Sequence, residues 1–291
     1  PPRGPREHGP ESNEDSVGLP LQCEPEVLFV APQPALRAPA AHRKALLRLA
    51  VLIFNLRPSF GLAFTVASGL AEGYTKAMRL VLHCGGVNRK QVGSFLSEAF
   101  SLSSLVRFGV FDALPLLHTG VVSALACAFS ELQPPGDLQK LDRLVRSLAD
   151  VWWLKHRALL EEGPLEAAAS RGDDGQELLG LDLCQYLAGA DVLTQLMLST
   201  VLLHWTLYVG SPGRQLGEGA WLALNQGIES GGADVPEHVQ RRIFATVQRR
   251  FLPELALAAA PDGGGQLPAL AEGGAGGPSA LSPCARMEGW L

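Results

Sequence analysis

A chain of 291 residues with a formal net charge of −5 has room for one large domain or two small ones, and it carries no global basic field to hold nucleic acid or an anionic membrane. Its five cysteines, Cys23, Cys84, Cys127, Cys184 and Cys284, stand far apart with no CxxC pair and no histidine nearby except His83, so no metal site and no cofactor are expected. Their odd number and wide spacing fit a reduced, cytoplasmic protein, and the proline- and glutamate-rich amino terminus shows no apolar leader core.

Residues 1–40 hold Pro-Pro-Arg-Gly-Pro-Arg, an acidic patch at residues 11–15 and scattered prolines, and are predicted to be disordered because they bury too little apolar surface. Residues 41–255 read as one helical domain. Leu138, Leu141, Leu144, Val145, Leu148, Val151 and Trp152 recur at three- and four-residue spacing. Before them stand Pro134 and Pro135, which stop the preceding helix, and Asp137, which is placed to cap the next one. A connection longer than two helices need, near 155–189, contains Glu161-Glu162-Gly163-Pro164 and Arg171-Gly172-Asp173-Asp174-Gly175 and is predicted to be a surface insertion.

The strongest apolar run, 192–210, is interrupted by Thr194, Gln195, Ser199, Thr200, His204 and Thr206. That composition suits a buried core helix better than a membrane span. Val239, Ile243, Val247 and Phe251 form a last stripe behind Asp234-Val235-Pro236, with Pro236 suited to the first turn. Residues 256–291 turn to Ala, Gly and Pro and read as a flexible tail. Alternating strand patterns are absent, so the fold class is all-α.

Two motifs lie at a suitable distance from each other: Val92-Gly93-Ser94-Phe95-Leu96-Ser97-Glu98, and Ser123-Ala124-Leu125 leading into Leu132-Gln133-Pro134-Pro135-Gly136-Asp137-Leu138-Gln139-Lys140-Leu141-Asp142-Arg143. Upstream stand Phe54-Asn55-Leu56-Arg57-Pro58, Gly61 and Gly69-Leu70. Downstream come Ala190-Asp191, Leu202-Leu203-His204-Trp205-Thr206-Leu207-Tyr208, Asn225-Gln226-Gly227-Ile228 and Asp234-Val235-Pro236-Glu237. In this order, from about residue 45 to about residue 253, the series resembles the Sec-seven domain of the guanine-nucleotide exchange factors that act on ARF-type small GTPases.

The resemblance implies a right-handed superhelical array of about ten helices with an apolar surface groove, and an ARF-family GTPase as partner. It implies that Glu98 is a glutamic finger whose charge competes with the β-phosphate and magnesium of bound GDP. Leu96, Ser97, Leu198, Val201, Leu202, His204, Trp205 and Tyr208 are then the GTPase-binding residues. It further implies action at Golgi, endosomal or other vesicle membranes, with peripheral attachment supplied by partners or by regions beyond this chain.

The chain departs from the family pattern where His204-Trp205 replaces an Asn-Thr pair and Ser97 replaces a glycine. Ser97 is expected to tilt the finger loop by losing access to positive φ, His204 to donate a bond to that loop, and Trp205 to fill part of the groove. Two functional readings therefore stand: an exchange factor, and a catalytically degenerate Sec-seven-like module that binds proteins in membrane traffic. A helical scaffold unrelated to GTPases is the third reading, against which Glu98 and the Gln139–Arg143 run argue.

Other candidates have plainer explanations. A lone His204 on an apolar helix reads as core rather than as a general base or metal ligand. Gly210-Ser211-Pro212-Gly213 with Gly217 and Gly219 lacks the Lys-Ser/Thr of a phosphate loop and reads as a helix-ending turn. Arg241, Arg242, Arg249 and Arg250 read as a solvated basic face, and Trp152, Trp153 and Trp205 as core aromatics.

Overall fold

The computed structural model describes residues 42–161, 176–210, 215–227 and 234–257, and every regular element among them is helical. The leader expected over 1–40 and most of the tail expected over 256–291 lie outside these residues. Eleven α-helices and one 3-10 turn are present among the described residues, which makes the fold all-α as expected.

The chain enters through α1 (Arg43–Leu56) and turns into α2 (Pro58–Ala67). Arg57 is extended at φ −146°, and Pro58, whose ring fixes a helical φ, opens the second helix. A side chain at Gly61 would overlap the backbone of Phe54, so glycine is what lets the two helices close on each other. At the same corner Asn55 donates to the Gly86 carbonyl and accepts from the Asn88 amide, each at 2.8 Å. Those bonds tie α1 to the turn between α3 (Tyr74–Leu82) and α4 (Arg89–Leu96). Asn88 in turn caps α4 by accepting from the Lys90 and Gln91 amides. Helix α5 (Ser101–Asp112) closes this half by packing on α3, α4 and α7 (Leu138–Glu161).

Helix α7 is the spine. Its predicted stripe of Leu141, Leu144, Val145, Leu148, Val151 and Trp152 is buried, each side chain contributing about 2 kcal/mol of apolar transfer. Around it lie α5, α6 (Val121–Phe129), α8 (Gly180–Cys184) and above all α9 (Ala190–Tyr208). Helices α10 (Glu218–Leu224) and α11 (Glu237–Gln248) and the 3-10 turn Pro253–Leu255 complete the second half. Val239, Ile243 and Val247 are buried as their spacing predicts, while Phe251, past the end of α11, is partly exposed.

Helix α9 is covered by α6, α7, α11 and the 3-10 turn, which explains an apolar composition without a single polar face. Four of its polar interruptions are satisfied within the helix. Thr194 donates to the Ala190 carbonyl, Ser199 and Thr200 to that of Leu196, and Thr206 to that of Leu203. Among the described residues no helix is long and apolar enough to cross a membrane.

The segment expected as a surface insertion near 155–189 is built into the fold at its described ends. Helix α7 continues to Glu161, and Leu183, Cys184 and Leu187 reach the core. Glu177 accepts from the Val122 amide at 2.6 Å and the Ser123 amide at 2.8 Å, filling the amino terminus of α6 with a carboxylate. Burial pushes the Glu177 pKa up, against the downward pull of these same bonds.

Candidate functional site at the head of helix α7

The two sequence motifs meet in space. Gly93, on α4, lies against the backbone of Gln133 so closely that a β-carbon would overlap the Gln133 carbonyl oxygen, and the Gln133 amide donates to the Arg89 carbonyl at 3.0 Å. The loop after α4, carrying Ser97 and Glu98, and the loop before α7, carrying Asp137, are thus held as one unit.

Three cations fasten this unit. The last carbonyls of α4 have no partners within the helix and sit at its negative end, a natural seat for guanidinium. Arg107 of α5, only 6% exposed, donates from Nη1 to the Leu96 carbonyl at 2.6 Å and to that of Glu98 at 3.2 Å. Its Nε donates to Ser147 Oγ at 2.8 Å and its Nη2 to Ser104 Oγ at 3.2 Å. Burial, and then the nearby Arg143 charge, push the Arg107 pKa down. Arg143 donates to the Ser97 carbonyl at 3.2 Å. Lys140 pairs through Nζ with Glu98 Oε1 at 2.7 Å, both side chains being 31% exposed.

Asp137 caps α7 as its position predicts, accepting from the Lys140 amide at 3.0 Å, and it is exposed. Lys140 therefore stands between two carboxylates, bonded through its side chain to Glu98 and through its backbone to Asp137. A second ionic chain continues along α7, where Arg146 meets Asp142 at 3.7 Å and Asp191, in the first turn of α9, at 3.1 Å.

The expected GTPase-binding residues divide. Leu96, Ser97, Leu198, Val201 and His204 are buried and shape the site from within. Leu202, Trp205 and Tyr208 reach the surface. Ser97 needs no glycine-like backbone: it sits at φ −86° and its hydroxyl donates to the Ser94 carbonyl at 2.9 Å. The tilt expected from losing glycine there has no cause.

His204 does not hold the loop of Glu98. Its Nε2 accepts from the Leu252 amide at 3.0 Å, and its ring packs against Phe251 and Tyr208 with centroids 5.3 and 5.1 Å away. Since Nε2 is the acceptor, the neutral ring carries its proton on Nδ1. Burial pushes the pKa down, while Glu254 pulls it weakly back up. Tyr208 adds hydroxyl bonds to the carbonyls of Val247 and Gln248 at 3.0 and 2.8 Å. This end of α9 mounts the carboxy-terminal segment.

The remaining candidates behave as structural residues. Trp152 is buried and donates to Thr119, Trp153 is partly buried, and Arg241 is neutralised by Glu218 and Glu237 at 3.5 and 3.0 Å. Residues 211–214 of the glycine-rich turn lie outside the described residues. No group of three or more His, Cys, Asp or Glu side chains among the described residues has the arrangement to hold a metal. Cys84, Cys127 and Cys184 are free thiols, and burial raises their pKa values.

Sequence reasoning missed Arg107, Lys140 as the partner of Glu98, and Glu177. The Gln139–Arg143 run did mark the helix that supplies two of the three fastening cations.

Comparison with known proteins places this geometry in a family. The profile described as Sec7 domain matches residues 43–252. Human cytohesin-2 is 25% identical over 196 residues, covering 67% of this chain and 42% of the relative, and human cytohesin-3 is 22% identical over the same length. The chain thus spans about two fifths of the curated relatives it matches. Among solved structures, the Sec7p catalytic domain aligns with a TM-score of 0.54 at 19% identity, covering 74% of this chain and 97% of that one. A Sec7 domain bound to ARF1-GDP and complexed with Brefeldin A aligns at 0.56 and 15% identity, covering 73% and 95%. Since that profile spans residues 43–252, and with them all eleven described α-helices, this chain belongs to the Sec7 domain family.

Proposed function

We propose that the chain is a guanine-nucleotide exchange factor for an ARF-family small GTPase, working by electrostatic displacement at the head of α7. The observation that carries this reading is the pair of carboxylates, Glu98 and Asp137, held on two interlocked loops at the head of α7. A carboxylate brought within a few ångströms of a β-phosphate, in a site that excludes water, raises the energy of bound nucleotide by several kcal/mol. No covalent bond changes.

The two carboxylates are not equivalent. Glu98, the residue singled out by sequence, already faces the Lys140 ammonium at 2.7 Å, so at a distance the pair presents little net charge, and using Glu98 as a wedge first requires breaking that pair. Asp137 is exposed and engaged with a backbone amide only at its cap. On that ground Asp137 is the carboxylate free to act, and Glu98 with Lys140 sets the position of the helix that presents it.

Release of fluorescent GDP from an ARF protein at physiological magnesium tests this. Asp137→Asn keeps the helix cap, because Asn caps as well as Asp, and removes only the charge. It is expected to slow exchange by about 100-fold, the scale for deleting one oriented electrostatic group. Glu98→Gln is expected to cost about tenfold or less through loss of positioning. The reverse ranking assigns the wedge to Glu98, as the sequence resemblance implies. Full activity in both variants would sink electrostatic displacement altogether.

The module reading draws on Trp205, a large ring on the surface of α9 where the family carries a small residue. ARF binding without exchange, with exchange appearing in Trp205→Thr, would establish it.

A further inference from the structure

Among the described residues, one face of the hairpin of α1 and α2 is left exposed. Ala50, Val51 and Phe54 turn inward, and the close approach at Gly61 fixes the rotation of α1. Leu49, Leu52 and Leu56, at positions i, i+3 and i+7, are left in one outward row with exposures of 44, 61 and 81%. Phe60, in the first turn of α2, is 60% exposed, and the Arg57 guanidinium lies 5.7 Å from its ring centroid. Lys44 and Arg48 flank the row one turn apart.

The charge around this row is of one sign. No aspartate or glutamate occurs between Glu26 and Glu72, whereas Arg37, Arg43, Lys44, Arg48 and Arg57 fall in that interval of a chain whose overall formal charge is −5. Among the described residues, no carboxylate pairs with Arg43, Lys44, Arg48 or Arg57. The Asn55 amide, on the same helix, is already satisfied by Gly86 and Asn88. Among the described residues, the face therefore offers apolar bulk and cations that no carboxylate neutralises.

A second copy of the chain is a poor occupant. A two-fold interface sets a surface against itself and would bring Arg48 and Arg57 together with no acid between them. The chemistry that matches both properties at once is an anionic bilayer, whose headgroups receive the cations while the row enters the interfacial layer. We propose that the α1–α2 corner is a lipid-docking face of this domain, so that membrane contact does not depend wholly on partners or on regions outside the chain. The proposal is independent of exchange activity.

The test is co-sedimentation of the 291-residue chain with phosphatidylcholine vesicles containing about 30% phosphatidylserine. Binding is expected at about 0.1 M salt and is expected to weaken at about 0.5 M, as screening of surface charge requires. Leu52→Glu with Leu56→Glu is expected to reduce it by at least about tenfold, and Arg48→Glu by about fivefold, with the helical circular dichroism unchanged because all three sites are exposed.

Absence of binding to these vesicles overturns the proposal, as does binding that the leucine variant leaves unchanged. Two results would reassign the face. If the wild type is a dimer that the leucine variant dissociates, a second copy covers it. If vesicle binding appears only after Leu28→Asp with Phe29→Asp, the chain's own Val27-Leu28-Phe29-Val30 segment covers it.

Discussion

The head of α7 and the tail of α9 are both places where a helix end is fastened to a distant stretch of chain, and they are fastened by opposite means. At the head of α7 three cations hold the open carbonyls of α4 and the Glu98 carboxylate. At the tail of α9 an imidazole, a phenol and a phenyl ring pack together, and neutral hydrogen bonds reach the Leu252 amide and the carbonyls of Val247 and Gln248. Charged fastenings respond to an incoming charge, whereas aromatic packing does not. The difference marks the head of α7 as the end that an incoming charge can rearrange, which is what the proposed function requires of it, and the tail of α9 as a fixed mount.

The severest way to break this contrast is Arg107→Met. Methionine fills the buried space but leaves the Leu96 and Glu98 carbonyls and two serine hydroxyls without their donor, and stability is expected to fall by about 3 kcal/mol in urea unfolding. A loss below about 1 kcal/mol would mean that water replaces the guanidinium and that the clamp is not structural.

An intermediate effect is expected at the aromatic end. Burial lowers the folded-state pKa of His204 below the ordinary value near 6.5, and burial does the same to His156, whose ring stacks on Trp152. A depressed pKa contributes stability that is present above the unfolded value and lost as pH falls through the folded one, so unfolding free energy is expected to decline on acidification from about pH 7 to about pH 5. His204→Gln keeps an acceptor for the Leu252 amide, costs about 1 kcal/mol at neutral pH and should flatten part of that decline. An unchanged slope would exclude His204 as one of its sources.

The smallest effect belongs to Lys140→Met. Its ion pair is partly solvated, so stability should change by about 0.5 kcal/mol, and that difference should vanish at high salt. Exchange kinetics sharpen the comparison here. If Glu98 acts only through Lys140, the double variant with Glu98→Gln should be no slower than the worse single one.

Much of the scaffold was legible in the sequence. The stripe of α7, the Asp137 cap and the stripe of α11 depend on spacing within one helix, and spacing is local. The clamp was not legible, because Arg107 bonds mainly to backbone carbonyls, which leave no trace in residue type, and Lys140 finds Glu98 across 42 positions. The expectation that His204 donates to the loop of Glu98 rests on the resemblance, in which it stands in place of an Asn; α9 is apolar nearly all round, so periodicity could not say which neighbour each side faces. Ser97 misled for a different reason. Its replacement of glycine matters only if the backbone needs positive φ, and at −86° it does not.

The buried Glu177 carboxylate has a consequence for engineering. It moors the chain to the start of α6 on one side of residues 162–175, while Lys155 and His156 bind α7 to the turn after α5 on the other. The described residues on both flanks of that stretch are thus tied to the core. Lengthening a loop between two tethered ends costs little, each doubling adding only about 0.6 kcal/mol of closure entropy. This is where a fluorescent reporter can be spliced in to follow the domain, with both carboxylates at the head of α7 left as they are.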